Sequence, residues 1–251
     1  MEKLLVQAYE RFGDNLCSAG AISQIRDAEI TICTSRKFDC ALLNIPNVKG
    51  LIYMDNTSAH AFARENKCKI INTTLSNTPK YADQLDARVP LHLKKNGYDY
   101  IKNGPAFFPT KEESDWAEEF ARRFNDKPLL GVESHFSSKQ SYMNKAHNDK
   151  IVNKYYKDYH ILWLCNANYP SSRAKIIDMG EFNRRQISTL MPKLSLLISS
   201  FSGFYWASRC FESKPKAYLL ITDRYVGWTK CETTEVVLQK KFDEWASKPN
   251  D

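Results

Sequence analysis

Three short stretches of the chain carry side chains able to do chemistry. In the first, Arg11-Phe12-Gly13-Asp14 follows the apolar run Leu4-Leu5-Val6 and leads into a helical-looking segment that ends near residue 26. A strand that turns on a glycine into a helix makes a tight bend. Backbone N–H groups and the positive end of the helix dipole collect there, and a side chain just before the helix projects toward a ligand. Here that side chain is a carboxylate, which repels phosphate and is better suited to handling a proton. Asp14 thus reads either as a proton acceptor or, more simply, as the helix cap that Asp commonly provides.

The second stretch is Ser134-His135-Phe136-Ser137-Ser138-Lys139, after the strand-like LLGVE of 129–133. Hydroxyls, an imidazole and an ammonium in one loop suit a diphosphate, because Lys supplies charge and Ser supplies donors. An ordinary solvated loop is the plainer alternative. The third stretch is Ser199-Ser200-Phe201-Ser202-Gly203-Phe204, at the end of one strand and the start of a helix. Gly203 permits close backbone approach and a helix start favours an anion, although a serine-rich cap would look the same. In open α/β sheets ligands lie beyond the carboxyl ends of the strands. Asp14 falls at such an end in the first half of the chain, and Lys139 with Ser202-Gly203 in the second. That division suits a two-domain transferase, with an acceptor base on one side and leaving-group stabilisation on the other.

The elements that must position these residues alternate. In the first half, strands are expected at 29–34, 50–54 and 69–73, with helices at 36–44, 58–66 and 84–96 and a loop at 76–80. Strands separated by helices imply βαβ units and a mainly parallel sheet. Two prolines and a glycine break the pattern at 103–109. Thr110 with Glu113 then has the form of a capping box, and Trp116, Phe120 and Phe124 give the following helix an apolar stripe that reads as core. A second series follows Pro128. Its strands are expected at 129–133, 159–165, 174–178, 194–199 and, last, 217–222. Helices are expected at 185–191 and at 235–248, where Leu238, Phe242 and Trp245 share a face. The simplest division is a first domain at 1–105, a linker and helix at 106–126, and a second domain at 127–251.

Bulk properties narrow the classes. The chain has 251 residues, 43% hydrophobic and 26% charged, ordinary for a soluble globular protein with a sizeable core. No apolar run approaches the ~20 residues a bilayer span needs, and the start lacks the pattern of a signal peptide. The seven cysteines are scattered without a C-x-x-C pair, which argues against a disulfide framework or zinc site and for a reducing cytoplasm. The five histidines lack metal-ligand spacing, and no Asp-x-Asp pair offers a divalent-ion site. His160, in a buried strand, reads as a satisfied core residue. Dinucleotide, Walker and serine-hydrolase glycine motifs are missing too. A mechanism without metal or cofactor is therefore expected. Residues 1–126 balance 17 basic against 17 acidic residues, whereas 127–251 hold 19 against 12 and carry the whole net charge of +7. An anionic ligand would be held mainly by the second half.

These features resemble the glycosyltransferase family that contains the bacterial lipopolysaccharide heptosyltransferases. Leu5-Val6 through Arg11-Phe12-Gly13-Asp14 is similar to that family's first strand and "GD" turn, and the stretch through Ile45-Pro46-Asn47-Val48 also follows it. Phe108-Pro109-Thr110 resembles the inter-domain entry, 129–139 the strand and lysine loop that open the donor domain, and 187–203 its strand and acidic-Ser/Thr-Gly element. Two positions depart: Phe201 stands where the family has the acidic residue, and Trp206 where it has a histidine.

The resemblance implies an α/β fold of the GT-B kind, two Rossmann-like domains facing each other across a cleft. It implies an inverting, metal-independent hexosyl-, heptosyl- or pentosyltransferase that uses a nucleotide-sugar as substrate. Asp14 would be the catalytic base, with Arg11 and Gly13 on the acceptor side. Lys139, Ser138, His135, Ser202 and Gly203 would bind the donor. A glycan such as lipopolysaccharide core is the implied acceptor; a hydroxylated base in DNA is the alternative for so basic a chain. A nucleotide-binding relative without catalysis is the alternative that Phe201 and Trp206 raise. No obligate protein partner is expected, and the setting is the cytoplasm of a bacterial or phage-infected cell.

Overall fold

The computed structural model describes residues 1–9, 11–37, 39–73, 97–98, 104–134, 141–165, 167–200, 202–222 and 233–249. The expected loop at 76–80 and helix at 84–96 lie outside the described residues. The chain divides into two compact units, Met1–Thr110 and Lys111–Asp251.

Among the described residues the first unit holds four strands, β1 (Glu2–Gln7), β2 (Ala28–Thr34), β3 (Val48–Tyr53) and β4 (Lys69–Asn72), in the all-parallel order β3-β2-β1-β4. Parallel strands covered on both faces need apolar residues pointing both ways, and β1 supplies them. Leu4 and Val6 pack in a cluster with Ile22, Ile30, Ile32 and Leu42. Leu5, between them, packs in another with Cys33, Ala59 and Ala63. The first cluster engages helix α1 (Phe12–Ile22) and the second engages α2 (Asn56–Asn66), so the two helices cover opposite faces. Asp55 caps α2 by accepting from the Ser58 N–H at 2.7 Å. Along α1, the segment 104–106 runs unusually close: the Ala106 N–H donates to the Leu16 carbonyl at 3.0 Å. A Cβ on Gly20 would lie 2.0 Å from the Gly104 carbonyl oxygen, so glycine is required there.

One expected helix is absent. Over 36–44 the described residues contain only a single 3-10 turn, Asp39–Ala41. Asn44 takes φ of 62°, which ends helical continuation, while Leu42 and Ile45 drop into the core below.

The second unit is a six-stranded parallel sheet in the order β10-β9-β8-β5-β6-β7. Its strands are β5 (Leu129–Val132), β6 (His160–Trp163), β7 (Ile177–Asp178), β8 (Leu196–Ser199), β9 (Lys216–Ile221) and β10 (Thr234–Leu238). Between and around them run α3 (Lys111–Arg122), α4 (Lys145–Tyr155), α5 (Arg184–Leu190), α6 (Gly203–Ser208) and α7 (Phe242–Ser247). Leu130, Val132, Ile161, Trp163, Ile198 and Leu220 form the core with Ile151, Tyr155, Phe242 and Trp245 from the helices. Helix α3, expected as part of a linker, belongs to this unit. Glu113 receives Arg185 of α5 through both carboxylate oxygens, at 2.5 and 2.6 Å. The Trp116 and Phe120 rings close on Phe182, with centroids 5.4 and 5.7 Å away.

Two further expectations are corrected. Residues 217–222 do not hold the last strand. The β-branched run Thr234-Glu235-Val236-Val237 pairs outside β9, and the helical part starts only after it, as a 3-10 turn at Gln239–Lys241 leading into Phe242–Ser247. The strand expected over 174–178 shrinks to two residues because Arg173–Lys175 form a 3-10 turn. His160 is only partly buried, and its Nε2 meets Asp126 at 2.7 Å.

Candidate functional site

Each sheet has one point at which the strand order reverses. In the first unit the chain builds outward from β1 through β2 to β3, then returns to place β4 on the other side of β1. The reversal lies between β1 and β4, and the carboxyl ends of the strands at such a point are the usual ligand position in open parallel sheets. The groups at this point are polar and fixed. The Thr73 hydroxyl donates to the Gln7 carbonyl at 3.0 Å and accepts from the Ser18 hydroxyl at 3.3 Å. Gln7 Nε2 reaches Asn56 at 2.7 Å. Beside it, Tyr9 shares a 2.7 Å contact with the buried thiol of Cys33, and burial raises the pKa of both groups.

Asp14 sits on this side of the sheet, partly buried. It is not the helix cap. Helix α1 begins at Phe12 with Arg11 in the N-cap position, so Asp14 lies inside the first turn rather than before it. A carboxylate there is favoured by the dipole. Gly13 is buried and Arg11 exposed on the same turn, so the three first-unit residues singled out in the sequence do fall together.

The second unit reverses between β5 and β8, which lie in register with Val132 opposite Ile198. Glu133 follows β5 and donates its N–H to the Ile198 carbonyl at 2.9 Å, which sets it level with Ser199 at the end of β8. Its carboxylate is buried. It accepts from the Ser199 hydroxyl at 2.6 Å and, through the same Oε2, from the Ser202 hydroxyl. Ser199 and Ser202 are themselves 3.2 Å apart. Burial pushes the Glu133 pKa up to about 7 against the two hydroxyl hydrogen bonds, which pull it down. Among the described residues, Ser200, fully buried beside them, has no partner for its hydroxyl.

Ser202 also caps α6, accepting from the Tyr205 N–H at 3.4 Å. The cap reading of this serine stretch therefore holds. With only six residues, α6 contributes little dipole. The groups gathered at this point are instead the hydroxyls and the carboxyl group. Gly203 opens α6 and is partly buried. His135, Ser138 and Lys139 lie outside the described residues, as does Phe201. Among the described residues, no group of three or more His, Cys, Asp or Glu is placed to hold a metal ion. No described helix is long and apolar enough to cross a membrane.

Glu133 is the residue that sequence reasoning passed over; Ser199 enters it only as the first residue of the serine stretch. A carboxylate ending the apolar run Leu-Leu-Gly-Val was the available signal, because a buried strand seldom ends in an acid without a role.

No family model matches the sequence, and no curated protein matches it. Solved structures do. A glycosyl transferase family 9 protein from Veillonella parvula superposes with a TM-score of 0.71 at 14% identity, over 100% of this chain and 90% of its own. The E. coli ADP-heptose lps heptosyltransferase II gives 0.62 at 11%, over 94% and 90%. The E. coli heptosyltransferase WaaC with ADP-2-deoxy-2-fluoro heptose gives 0.62 at 10%, over 94% and 92%. The fold is thus the α/β, GT-B fold of these glycosyltransferases, two Rossmann-like units in one chain.

Proposed function

We propose that this chain is a glycosyltransferase that moves a sugar from a nucleotide-sugar to an acceptor hydroxyl with inversion and without a metal. The observation that carries the reading is chemical groups of two different kinds at the two strand-order reversals. In the first unit stands a carboxylate in the opening turn of α1; in the second, a hydroxyl cluster closed by a carboxyl group. The match of both units to glycosyltransferase structures supports it.

The first unit serves the acceptor and the second the donor. Asp14 takes the proton of the acceptor hydroxyl while that oxygen attacks the anomeric carbon. The bond from that carbon to the donor's phosphate oxygen breaks with its electron pair, and the nucleoside diphosphate departs. Attack opposite the leaving group inverts the anomeric centre. Lys139, Ser138, His135, Ser202 and Gly203 stabilise the charge gathering on the leaving diphosphate. Arg11 and Gly13 border the acceptor. A sugar hydroxyl of a glycan such as lipopolysaccharide core is the acceptor, and a cytoplasmic setting accompanies it.

Replacing the base separates chemistry from binding. Asp14→Ala should lower turnover by about 10²–10⁴-fold, the usual contribution of a general base, while nucleoside diphosphate affinity stays within about twofold. Wild-type turnover in the variant would remove Asp14 from the role. Transfer to DNA carrying hydroxylated bases, with steep salt dependence, would replace the glycan acceptor by a polyanion.

A further inference from the structure

Glu133 is a buried acid with two hydroxyls on one oxygen and, among the described residues, no cation paired with it. Ionised, a carboxylate only accepts, so Ser199 and Ser202 both turn their hydrogens to it, the Ser200 carbonyl 3.0 Å from the Ser199 hydroxyl being the weaker, uncharged acceptor. In that arrangement Ser202 has lone pairs to offer, one already used by Tyr205 N–H, and these three side chains present an anionic ligand with a negative charge and no donor. Protonated, the acid donates to one serine; a hydrogen freed on Ser199 has the Ser200 carbonyl to turn to, whereas one freed on the partly buried Ser202 can point outward. The same three side chains thus form either an acceptor site or a donor site. One proton separates the two.

We propose that Glu133 is a positioning residue whose carboxyl group sets the direction in which Ser199 and Ser202 donate, so that binding of a nucleoside diphosphate draws one proton from solvent onto Glu133. The proposal rests on the donor reading above and deepens it. The buried, cation-free position that makes the acid hold its proton near neutrality supports it. The other groups facing Glu133 leave the coupling intact. Cys165, beyond β6, touches Ser134 at 3.7 Å and is held as a thiol by its own burial. From β8 come only the neutral Ser199 and Ser200. From α6 come Ser202 and Tyr205, and Arg209 beyond its far end is engaged by Pro215 at 2.7 Å and Thr233 at 2.5 Å. Ser200, whose buried hydroxyl finds no partner among the described residues, marks the same spot as short of hydrogen-bonding groups.

The test is calorimetric titration of the full chain with ADP, UDP, GDP and CDP from pH 7.5 to 8.5, where the probe's own phosphate, with a pKa of about 6, is already ionised. Wild-type affinity should fall about fivefold or more across that unit. About one proton should be taken up, read from the difference between buffers of unlike ionisation enthalpy. Glu133→Gln, whose amide donates as the acid would, should bind with no pH dependence in this range and more tightly than wild type at pH 8.5. Identical pH profiles for the two proteins, or loss of binding by a folded Gln variant at every pH, overturns the proposal. If the variant does not fold, wild-type proton uptake decides alone: about one proton supports the proposal and none overturns it. Absence of binding by all four probes overturns the donor reading and this proposal together, whereas binding without uptake overturns this proposal only.

Discussion

A carboxyl group held out of water with only two serine hydroxyls for company resists ionisation, and this has a consequence for folding as well as binding. Glu133 is raised from 4.5 to about 7 in the folded chain. Between those values the native state holds a proton that the unfolded state has lost. Stability is therefore fully present below about pH 4.5 and declines as pH rises through about 7. The loss is about 3 kcal/mol for such a shift. Urea unfolding at pH 5 and pH 8 should show that decline in wild type, reduced by about this amount in Glu133→Gln. An equal decline in both proteins would contradict the assignment. At this scale the sequence was legible in part. The turn that groups Arg11, Gly13 and Asp14 could be read because strand, glycine turn and helix are contiguous along the chain. The pairing of Glu133 with Ser199 could not, because they meet only when β5 and β8, sixty-odd residues apart, pair side by side.

Elements are held by contacts that single substitutions can probe. Helix α1 presses so closely on segment 104–106 that a methyl on Gly20 would meet backbone, which cannot swing aside as a side chain would. Gly20→Ala should destabilise the first unit by about 3 kcal/mol, measured as a lower urea midpoint. An unchanged midpoint would show that the segment moves freely. In the second unit, Arg185 and Glu113 form a mostly buried double hydrogen bond between α5 and α3, with side chains 9% and 20% exposed. Arg185→Ala leaves the Glu113 carboxylate behind and should cost about 3 kcal/mol. Glu113 had the spacing of a capping partner, and its use as an ion-pair partner across helices is a tertiary choice that local pattern does not encode. The same holds for the chain's end. Leu238, Phe242 and Trp245 fit a helical face, yet Leu238 ends a strand because β9 offers its preceding residues an edge to pair with. Strands with strong apolar runs were readable almost to the residue. The 36–44 helix was not, because the core takes Leu42 and Ile45 and the backbone turns at Asn44.

For the molecule as a whole, two units with separate sheets and cores imply two units of cooperativity. Calorimetric unfolding should resolve two transitions or one asymmetric one. A nucleoside diphosphate at 100 times its Kd should stabilise the second unit by about 2.7 kcal/mol and leave the first unit's transition in place. A shift confined to the first unit would reverse the proposed donor and acceptor assignments. Alternating strands and helices on either side of a proline-rich break made this two-part organisation legible from sequence. The charge asymmetry, neutral in the first half and +7 in the second, is the sequence feature that agrees with the proposed donor side. The account's central claim is sugar transfer itself. The direct measurement is mass spectrometry of reactions containing the protein, a panel of nucleotide-sugars and either glycan or hydroxylated-DNA acceptors. The account predicts one acceptor heavier by one sugar residue, with an equal amount of nucleoside diphosphate released and both products formed about 10²–10⁴-fold more slowly by Asp14→Ala. Nucleoside diphosphate binding with no sugar transferred from any donor would contradict it.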